Sequence, residues 1–168
     1  MLSSLLAYID LLKKWNSAYN LLGGNESDSL VSRHILDSLS VDPYLEGNLI
    51  ADIGAGAGLP GIPLAILNPG KNFVLIDSNG KKTRFMFQAK IQLGLDNISI
   101  ENSRIEHYQS IQQIDMVMCR AFSTLEDALT MLQPIFSDEC KLLAMKGHYP
   151  EEEIARLPDG FELSKTIK

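Results

Sequence analysis

The sequence predicts an α/β fold in which a doubly wound, mostly parallel sheet follows an N-terminal helical cap. Two observations predict it. Apolar residues recur with helical periodicity at 2–21 and 29–44, before any strand-like run. From residue 49 onward, short apolar runs typical of strands alternate with helical patterns at the spacing of βαβ units. We therefore expect a single domain over 1–168, with the cap at 1–48 and an α/β core at 49–168.

Turn-forming and polar residues separate the elements of this plan. Helical patterns lie at 84–93 and 125–132, and Pro150 before three glutamates indicates a short helix. The polar cluster at 23–28 indicates a turn between the two cap helices. Strands are expected at 49–53, 73–77, 97–101, 114–119, 140–145 and 161–167.

The turn after the first expected strand indicates a nucleotide-cofactor site. Asp52 ends that strand, and Gly54, Gly56 and Gly58 follow at alternate positions. Glycine lets the backbone turn sharply and approach a ligand closely, and free amides at the start of the next helix favour an anionic group. The second strand ends in Asp77, nineteen residues beyond Gly58, where a ribose-binding carboxylate is expected. The core is therefore expected to be Rossmann-like.

Two cofactor classes fit this turn. Gly56, Gly58 and Gly61 satisfy the dinucleotide pattern G-x-G-x-x-G, which keeps an NAD-type oxidoreductase open. The register favours the other class, because Asp52 and Gly54 stand between the apolar strand and the first glycine of that pattern. A carboxylate there attracts the ammonium or sulfonium of S-adenosylmethionine and repels a pyrophosphate.

Composition is that of an ordinary globular domain, with 45% hydrophobic residues and a formal net charge of −6. This charge argues against a nonspecific nucleic-acid coat. The longest apolar runs are too short for a bilayer, and the N-terminus lacks the basic start and cleavage site of a signal peptide, so a cytoplasmic location is expected. Cys119 and Cys140 lack metal-binding spacing, and no metal is expected.

Basic residues are placed after several expected strands, at the edge where α/β sheets bind ligands. Lys81, Lys82 and Arg84 follow the second strand, and Arg104, Arg120 and Lys146 lie close to the ends of later ones. A charge run of this kind is commonly a solvated helical turn, so a basic rim and a solvent face both remain open.

Seven segments of the chain match one known family: 14–21, 33–39, 52–63, 77–85, 103–106, 120–122 and 146–154. Together they resemble the glucose-inhibited division protein B family, bacterial methyltransferases that modify N7 of one guanine in small-subunit ribosomal RNA. Two departures stand out: Asn20-Leu21-Leu22 replaces the family's Asn-Leu-Thr, and the chain ends at Lys168, after the strand that resembles the family's sixth and before its last.

The resemblance implies a class I methyltransferase fold, S-adenosylmethionine as cofactor and 16S ribosomal RNA, free or in a particle, as partner of a monomeric enzyme. It implies that Gly54, Gly56, Gly58 and Leu59 form the cofactor cradle and that Asp77 accepts from the ribose hydroxyls. Ile105 and Glu106 would lie at the adenine edge, and Arg120 close to both cofactor and substrate as the catalytic residue. The implied RNA-binding residues are Lys81, Lys82, Arg104 and Lys146.

The implied reaction needs no general base, because guanine N7 has an exposed lone pair and carries no proton at neutral pH. Positioning is expected to dominate catalysis. His34 and Asp37 are three apart on one helix face, and a structural hydrogen-bonded pair is the favoured interpretation. Phe122 and Tyr149 are candidates for stacking on a base. Two alternative functions remain open: a methyltransferase that acts on a small metabolite or a protein, and a donor-binding module without catalysis.

Overall fold

A computed structural model describes residues 1–22, 28–120 and 124–167, without the side chains of 28–32. Most of the predicted turn at 23–28, and the stacking candidate Phe122, lie outside the described residues. None of the helices within those ranges combines the length and hydropathy needed to cross a bilayer.

The cap consists of two helices, as predicted, and the core alternates strands with helices. The helices are α1 Leu2–Tyr19, α2 Asp28–Ser40, α3 Gly61–Leu67, α4 Gly80–Leu93, α5 Leu125–Leu132 and α6 Glu151–Ile154, with short 3-10 helices at Asp42–Tyr44, Ile105–His107 and Gln133–Ile135. The strands are β1 Leu49–Ile53, β2 Asn72–Ile76, β3 Ile98–Glu101, β4 Met116–Arg120 and β5 Lys141–Met145.

The five strands form one sheet in the order β3-β2-β1-β4-β5, and every pairing is parallel. Strand order reverses at β1, whose neighbours are β2 on one side and β4 on the other. In such sheets the crevice at the carboxyl ends of the strands beside this switch point is the usual ligand site. The predicted fold class, a doubly wound parallel sheet preceded by a helical cap, is confirmed.

The prediction of a sixth strand at 161–167 is wrong. An extended segment gains ladder hydrogen bonds only from a neighbouring strand, and in the described sheet β5 is the last strand on that side. Side chains hold the segment: the Phe161 ring lies 5.6 Å from that of Phe136, and Lys165 Nζ lies 5.0 Å from the centre of the Tyr44 ring.

The cap and the sheet share one hydrophobic core. Tyr8 and Leu12 of α1 are completely buried and belong to the same apolar cluster as Ile50 of β1 and Phe85 of α4. Trp15, predicted to be core, packs its ring 5.7 Å from Phe85. A second cluster covers the opposite face of the sheet beneath α5. The division of the chain at residues 48 and 49 stays a prediction.

Candidate cofactor and substrate site

The glycine turn adopts a backbone that only glycine enters easily. Gly54, Gly56 and Gly58 have φ values of +67°, +60° and +80°, in the left-handed region. Space adds a second restriction at Gly58, where a Cβ would lie 2.4 Å from Ile62 Cδ1. The turn is fixed to the end of β2, since the amides of Gly54 and Ala55 both donate to the Ile76 carbonyl, at 2.9 and 3.1 Å.

Asp52 is a buried carboxyl beneath this turn. Its side chain is 1% exposed, and its Oδ2 accepts the Gly61 amide at 2.8 Å. The start of α3, expected to offer a free amide to an anionic ligand, is therefore occupied by the chain's own carboxyl at this position. Asp52 Oδ1 is buried and has no hydrogen-bond partner among the described residues.

The protonation of Asp52 is set mainly by its burial. Burial raises the pKa of Asp52 to about 7, against the opposing effects of the Gly61 hydrogen bond and the Arg120 charge. A buried carboxylate with one unpaired oxygen is costly unless a cation or a donor meets it. The turn and Asp52 together fit a cofactor that carries positive charge.

Asp77 connects the ends of two strands through backbone amides. Its Oδ2 accepts from Gly56 N at 2.8 Å and its Oδ1 from Asn79 N at 2.7 Å, while its carbonyl accepts from Asn102 Nδ2 at 3.1 Å. A carboxylate has about four lone-pair sites, so both oxygens keep capacity for further donors. The side chain is 9% exposed, which places it deeper than a solvent-reachable strand end.

The predicted adenine-edge residues follow β3 directly. Ile105 begins a 3-10 helix and is buried in the second apolar cluster, whereas the neighbouring Glu106 is exposed. Leu59 is buried in the first cluster, and its amide donates to Ala55 O at 3.0 Å. The structure places Gly54, Gly56, Gly58 and Asp77 together, and Leu59 continues the same turn.

Arg120 is the last residue of β4, next to the strand that ends in Asp52 and Ile53. Its guanidinium NH1 lies 3.3 Å from His34 Nδ1. The Arg120 charge lowers the pKa values of Tyr8 and Asp52, although burial dominates and raises both. The switch point of the sheet thus brings Arg120 near the buried carboxyl and near both cap helices.

The predicted RNA-binding residues lie at the start of α4, before the 3-10 helix that follows β3, and at the end of β5. Lys81 is exposed and Lys82 half-buried at the start of α4, where Asn79 Oδ1 accepts both amides, and Lys82 Nζ lies 3.9 Å from where a Cβ on Gly56 would be. Arg104 is exposed just before the 3-10 helix that follows β3. Lys82 therefore lies beside the glycine turn, whereas Lys81 and Arg104 are exposed.

Lys146 has a structural partner. Its Nζ forms an ion pair with Glu153 Oε2 at 2.7 Å, and the same oxygen accepts the Leu125 amide at 2.7 Å. The Lys146 hydrogen bond and that of Leu125 lower the pKa of Glu153. Lys146 therefore connects the end of β5 to α5 and α6, and its proposed contact with RNA stays a prediction.

Two polar groups at this end of the sheet escaped the sequence interpretation. Tyr8, counted only in the apolar stripe of α1, donates its hydroxyl to Ala57 O at 2.6 Å. Ser103, between β3 and Arg104, has a buried Oγ without a partner among the described atoms. Tyr8 could not be predicted because its partner is 49 residues away. Within the described chain, no group of three or more His, Cys, Asp or Glu residues is arranged to hold a metal ion.

Comparison with known proteins decides the family. The profile of the GidB family, described as rRNA small subunit methyltransferase G, matches residues 1–168. The ribosomal RNA small subunit methyltransferase G of Nitrosococcus oceani is 51% identical over 162 residues, which cover 96% of this chain and 76% of the relative. This chain belongs to the GidB family. The predicted class, an S-adenosylmethionine-dependent rRNA methyltransferase, is thereby confirmed.

Solved structures support the fold of this GidB-family chain. A methyltransferase from Geobacter sulfurreducens has a TM-score of 0.63 at 14% identity, with 89% of this chain and 78% of that chain covered. A SAM-dependent methyltransferase from Aquifex aeolicus has a TM-score of 0.55 at 18% identity, with 71% and 72% covered. At this identity the likeness establishes the fold, the Rossmann-like methyltransferase architecture that the sequence predicted.

Proposed function

We propose that this chain transfers a methyl group from S-adenosylmethionine to N7 of one guanine in 16S ribosomal RNA, by in-line displacement without a general base. Two observations together carry the proposal. The GidB family matches the whole length of the chain, and the glycine turn lies between two carboxyls that accept its backbone amides, the buried Asp52 and Asp77. We further propose that the enzyme is a cytoplasmic monomer.

The described residues fit the cofactor by their own chemistry. When bound, S-adenosylmethionine supplies an electrophilic methyl group on a sulfonium. Asp52, with a buried unpartnered oxygen, would counter the positive charge of the cofactor, and Asp77 would accept from the ribose hydroxyls. The cradle would consist of Gly54, Gly56, Gly58 and Leu59, with Ile105 and Glu106 at the adenine edge.

The ionisable groups near the turn suit positioning more than proton abstraction. The Tyr8 hydroxyl is committed to Ala57 O, and burial raises the pKa of Tyr8 far above its ordinary value, so it stays a donor. Guanine N7 has no proton to remove, so its alignment supplies the rate enhancement. Arg120 would hold the guanine, and the RNA strand would contact Lys81, Lys82, Arg104 and Lys146.

The experiment is methylation of 16S RNA, naked and in the small subunit, with a methyl-labelled donor. N7-methylguanine is located by borohydride reduction and aniline cleavage, which break the chain at that base. We expect one labelled guanine, and loss of label with Arg120→Ala while donor binding persists. A protein that binds the donor but labels neither substrate contradicts the RNA assignment, and a label at another atom contradicts N7.

A further inference from the structure

The contact between His34 and Arg120 joins the cap to the sheet across 86 residues. The Nδ1 atom of His34 and NH1 of Arg120 are 3.3 Å apart. A guanidinium carries only donors and stays charged, so Nδ1 of His34 must be the acceptor. An acceptor at Nδ1 requires a neutral imidazole whose proton is on Nε2. A hydrogen bond between these two atoms therefore requires one protonation state and one tautomer of His34.

Both partners project from fixed backbones. Arg120 is paired to Met145 of β5 in the parallel ladder, and His34 lies on α2, which packs against α1 and α3. The neighbouring Ile35 is buried, and the Ser38 hydroxyl donates to the His34 carbonyl at 2.7 Å. An arginine side chain has many rotamers, and a fixed acceptor at its end reduces that freedom. His34 is placed to set where the guanidinium of Arg120 points.

We propose that His34 is a positioning residue, whose neutral imidazole holds Arg120 at the reacting centre and whose protonation releases it. The proposal rests on the proposed function, in which Arg120 holds the guanine. A protonated imidazole presents an N–H at Nδ1 and adds a second positive charge, so the hydrogen bond is replaced by repulsion. Turnover then declines on the acid side as His34 gains its proton from solvent.

Other ionisable groups lie on the elements that pack around this pair. Asp52 lies on β1 and Tyr8 on α1, and the Arg120 charge lowers the pKa of each. The residues of α3 carry no ionisable side chain. Asp42, in the 3-10 helix after α2, accepts from Asn68 Nδ2. Among the residues whose side chains are described, the remaining ionisable groups on these elements are Asp10, Lys13, Lys14 and Tyr19 on α1, Arg33 and Asp37 on α2, and Tyr44 in the 3-10 helix.

Two substitutions distinguish the role of His34 as a hydrogen-bond acceptor from the effect of its protonation. In His34→Asn the amide oxygen stands about where Nδ1 was, so it can accept from Arg120 but does not titrate. In His34→Ala the acceptor is lost at every pH. We expect His34→Ala to lower kcat roughly tenfold to a hundredfold with an unchanged donor Kd, as misplacement of a reacting group does. His34→Asn should retain most of the kcat at about pH 8 and lose the acid-side decline.

Measurement of kcat and KM for the RNA between about pH 5.5 and pH 8.5 spans the ordinary titration range of histidine. An acid-side decline that is the same in His34→Asn and in the unmodified protein overturns the proposal and points to Asp52. An unchanged kcat in His34→Ala overturns it as well. Both variants are first checked for folding by thermal denaturation and for donor binding by calorimetry.

A readout that does not need activity separates this proposal from the proposed function. The 15N shifts of the His34 ring report its tautomer, and we expect the proton on Nε2, with a perturbation of Nδ1 in Arg120→Ala. A proton on Nδ1 at about pH 8 overturns the positioning role even in an active enzyme. If the tautomer is as expected but no RNA is labelled, the proposed function fails and the pairing of His34 with Arg120 stands.

Discussion

The hydroxyl of Tyr8, in the first helix, donates a 2.6 Å hydrogen bond to the carbonyl of Ala57, in the middle of the glycine turn. The Tyr8 side chain is fully buried, and its ring lies 6.1 Å from that of Phe85. The cap therefore contacts the backbone of the cofactor turn directly and does more than cover the sheet. A change in α1 should be felt in cofactor binding.

Tyr8→Phe should lower both stability and donor affinity. The ring packing is kept, but Ala57 O loses its donor in a buried place, which costs about 1–3 kcal/mol of unfolding free energy. Urea denaturation and calorimetric titration with S-adenosylmethionine measure the two effects. Tyr19→Phe, on the same helix but 53% exposed, is the matched control and should change neither quantity. Equal donor affinity in Tyr8→Phe and the unmodified protein would show that the turn does not depend on the cap.

Asp77→Ala should weaken donor binding by about 2–4 kcal/mol, because two charge-assisted hydrogen bonds to the ribose are removed. Stability should also fall, since Gly56 N and Asn79 N lose their acceptor. Asp115→Ala is the matched control: Asp115 also accepts two backbone amides, those of Asn48 and Leu49, at the start of β1. Calorimetry should find donor affinity reduced in Asp77→Ala alone, and a similar reduction in both variants would remove Asp77 from the site.

Stability without cofactor should fall as the pH rises from about 4 to about 7. The pKa of Asp52 is raised by burial to about 7, so the folded state binds its proton more tightly than the unfolded chain, and that stabilisation is lost on ionisation. Thermal denaturation across this pH range measures the slope, and Asp52→Asn should flatten it. Because the donor is cationic, its affinity should rise over the same range. A slope unchanged in Asp52→Asn would assign the titration to another group.

Gly58→Ala should lower the free energy of unfolding by more than the strain of alanine in a left-handed backbone accounts for. An alanine at positive φ costs about 1–2 kcal/mol, and at Gly58 the new methyl also meets Ile62 Cδ1 at 2.4 Å. Gly94 ends α4 at φ +63° with nothing within 4 Å of the methyl group that alanine would add, so Gly94→Ala isolates the backbone cost. Denaturation should show a larger destabilisation for Gly58→Ala, and calorimetry a weaker donor affinity for that variant alone. Equal destabilisation would mean that Ile62 moves aside freely.

The basic surface should be tested one residue at a time. Lys81→Ala and Arg104→Ala should each reduce the salt dependence of RNA binding by roughly one unit of slope for every phosphate that the variant no longer binds, with donor affinity unchanged. Lys71→Ala is the control, because Lys71 donates to Gly47 O near the opposite end of the sheet. Filter binding at several salt concentrations gives the slopes. Identical slopes in all three variants would make Lys81 and Arg104 a solvated face.

Lys146→Ala should act differently from those two. Its ion pair with Glu153 also fixes the oxygen that caps Leu125 N, so removal of the lysine should lower the melting temperature. Glu153→Gln, which keeps an acceptor for Leu125 but removes the charge, should lower it less. If Lys146→Ala leaves stability unchanged and still reduces the salt slope of RNA binding, the RNA role is the stronger interpretation.

Local patterns predicted the parts of the fold that depend on local sequence. The runs that became β1, β2 and β4 are apolar apart from Asp52, Asn72 and Arg120, as strands buried on both faces of a parallel sheet are. Glycine spacing located the turn, because positive φ at Gly54, Gly56 and Gly58 leaves a signature in residue type. Strand ends shifted by one or two residues at most of the boundaries, where hydrogen bonding to a neighbour decides the last residue.

Most of what the patterns missed involves partners distant in sequence. The segment 161–167 has strand-like residues, but its state depends on a neighbouring strand that the pattern does not reveal. Tyr8 and Ala57 meet because α1 packs on the sheet, and His34 and Arg120 meet because α2 lies over the end of β4. The ion pair of Lys146 with Glu153, seven residues later, depends on the fold of the chain after β5, and the RNA contact expected of Lys146 stays a prediction.

The strand order has a consequence for synthesis on the ribosome. The central strand, β1, is the first to be made, and β2 follows after fewer than twenty residues, but β4 begins only at Met116, about sixty residues after β1 ends. At about 5–20 residues per second, the nascent chain carries an unpaired apolar edge on β1 for roughly 3 to 13 s. During that interval Ile50 and Ala51 lack Met116 and Val117, their β4 partners in the folded sheet. Because the strand made first is the central one, the sheet cannot be completed until β4 and β5 have been synthesised.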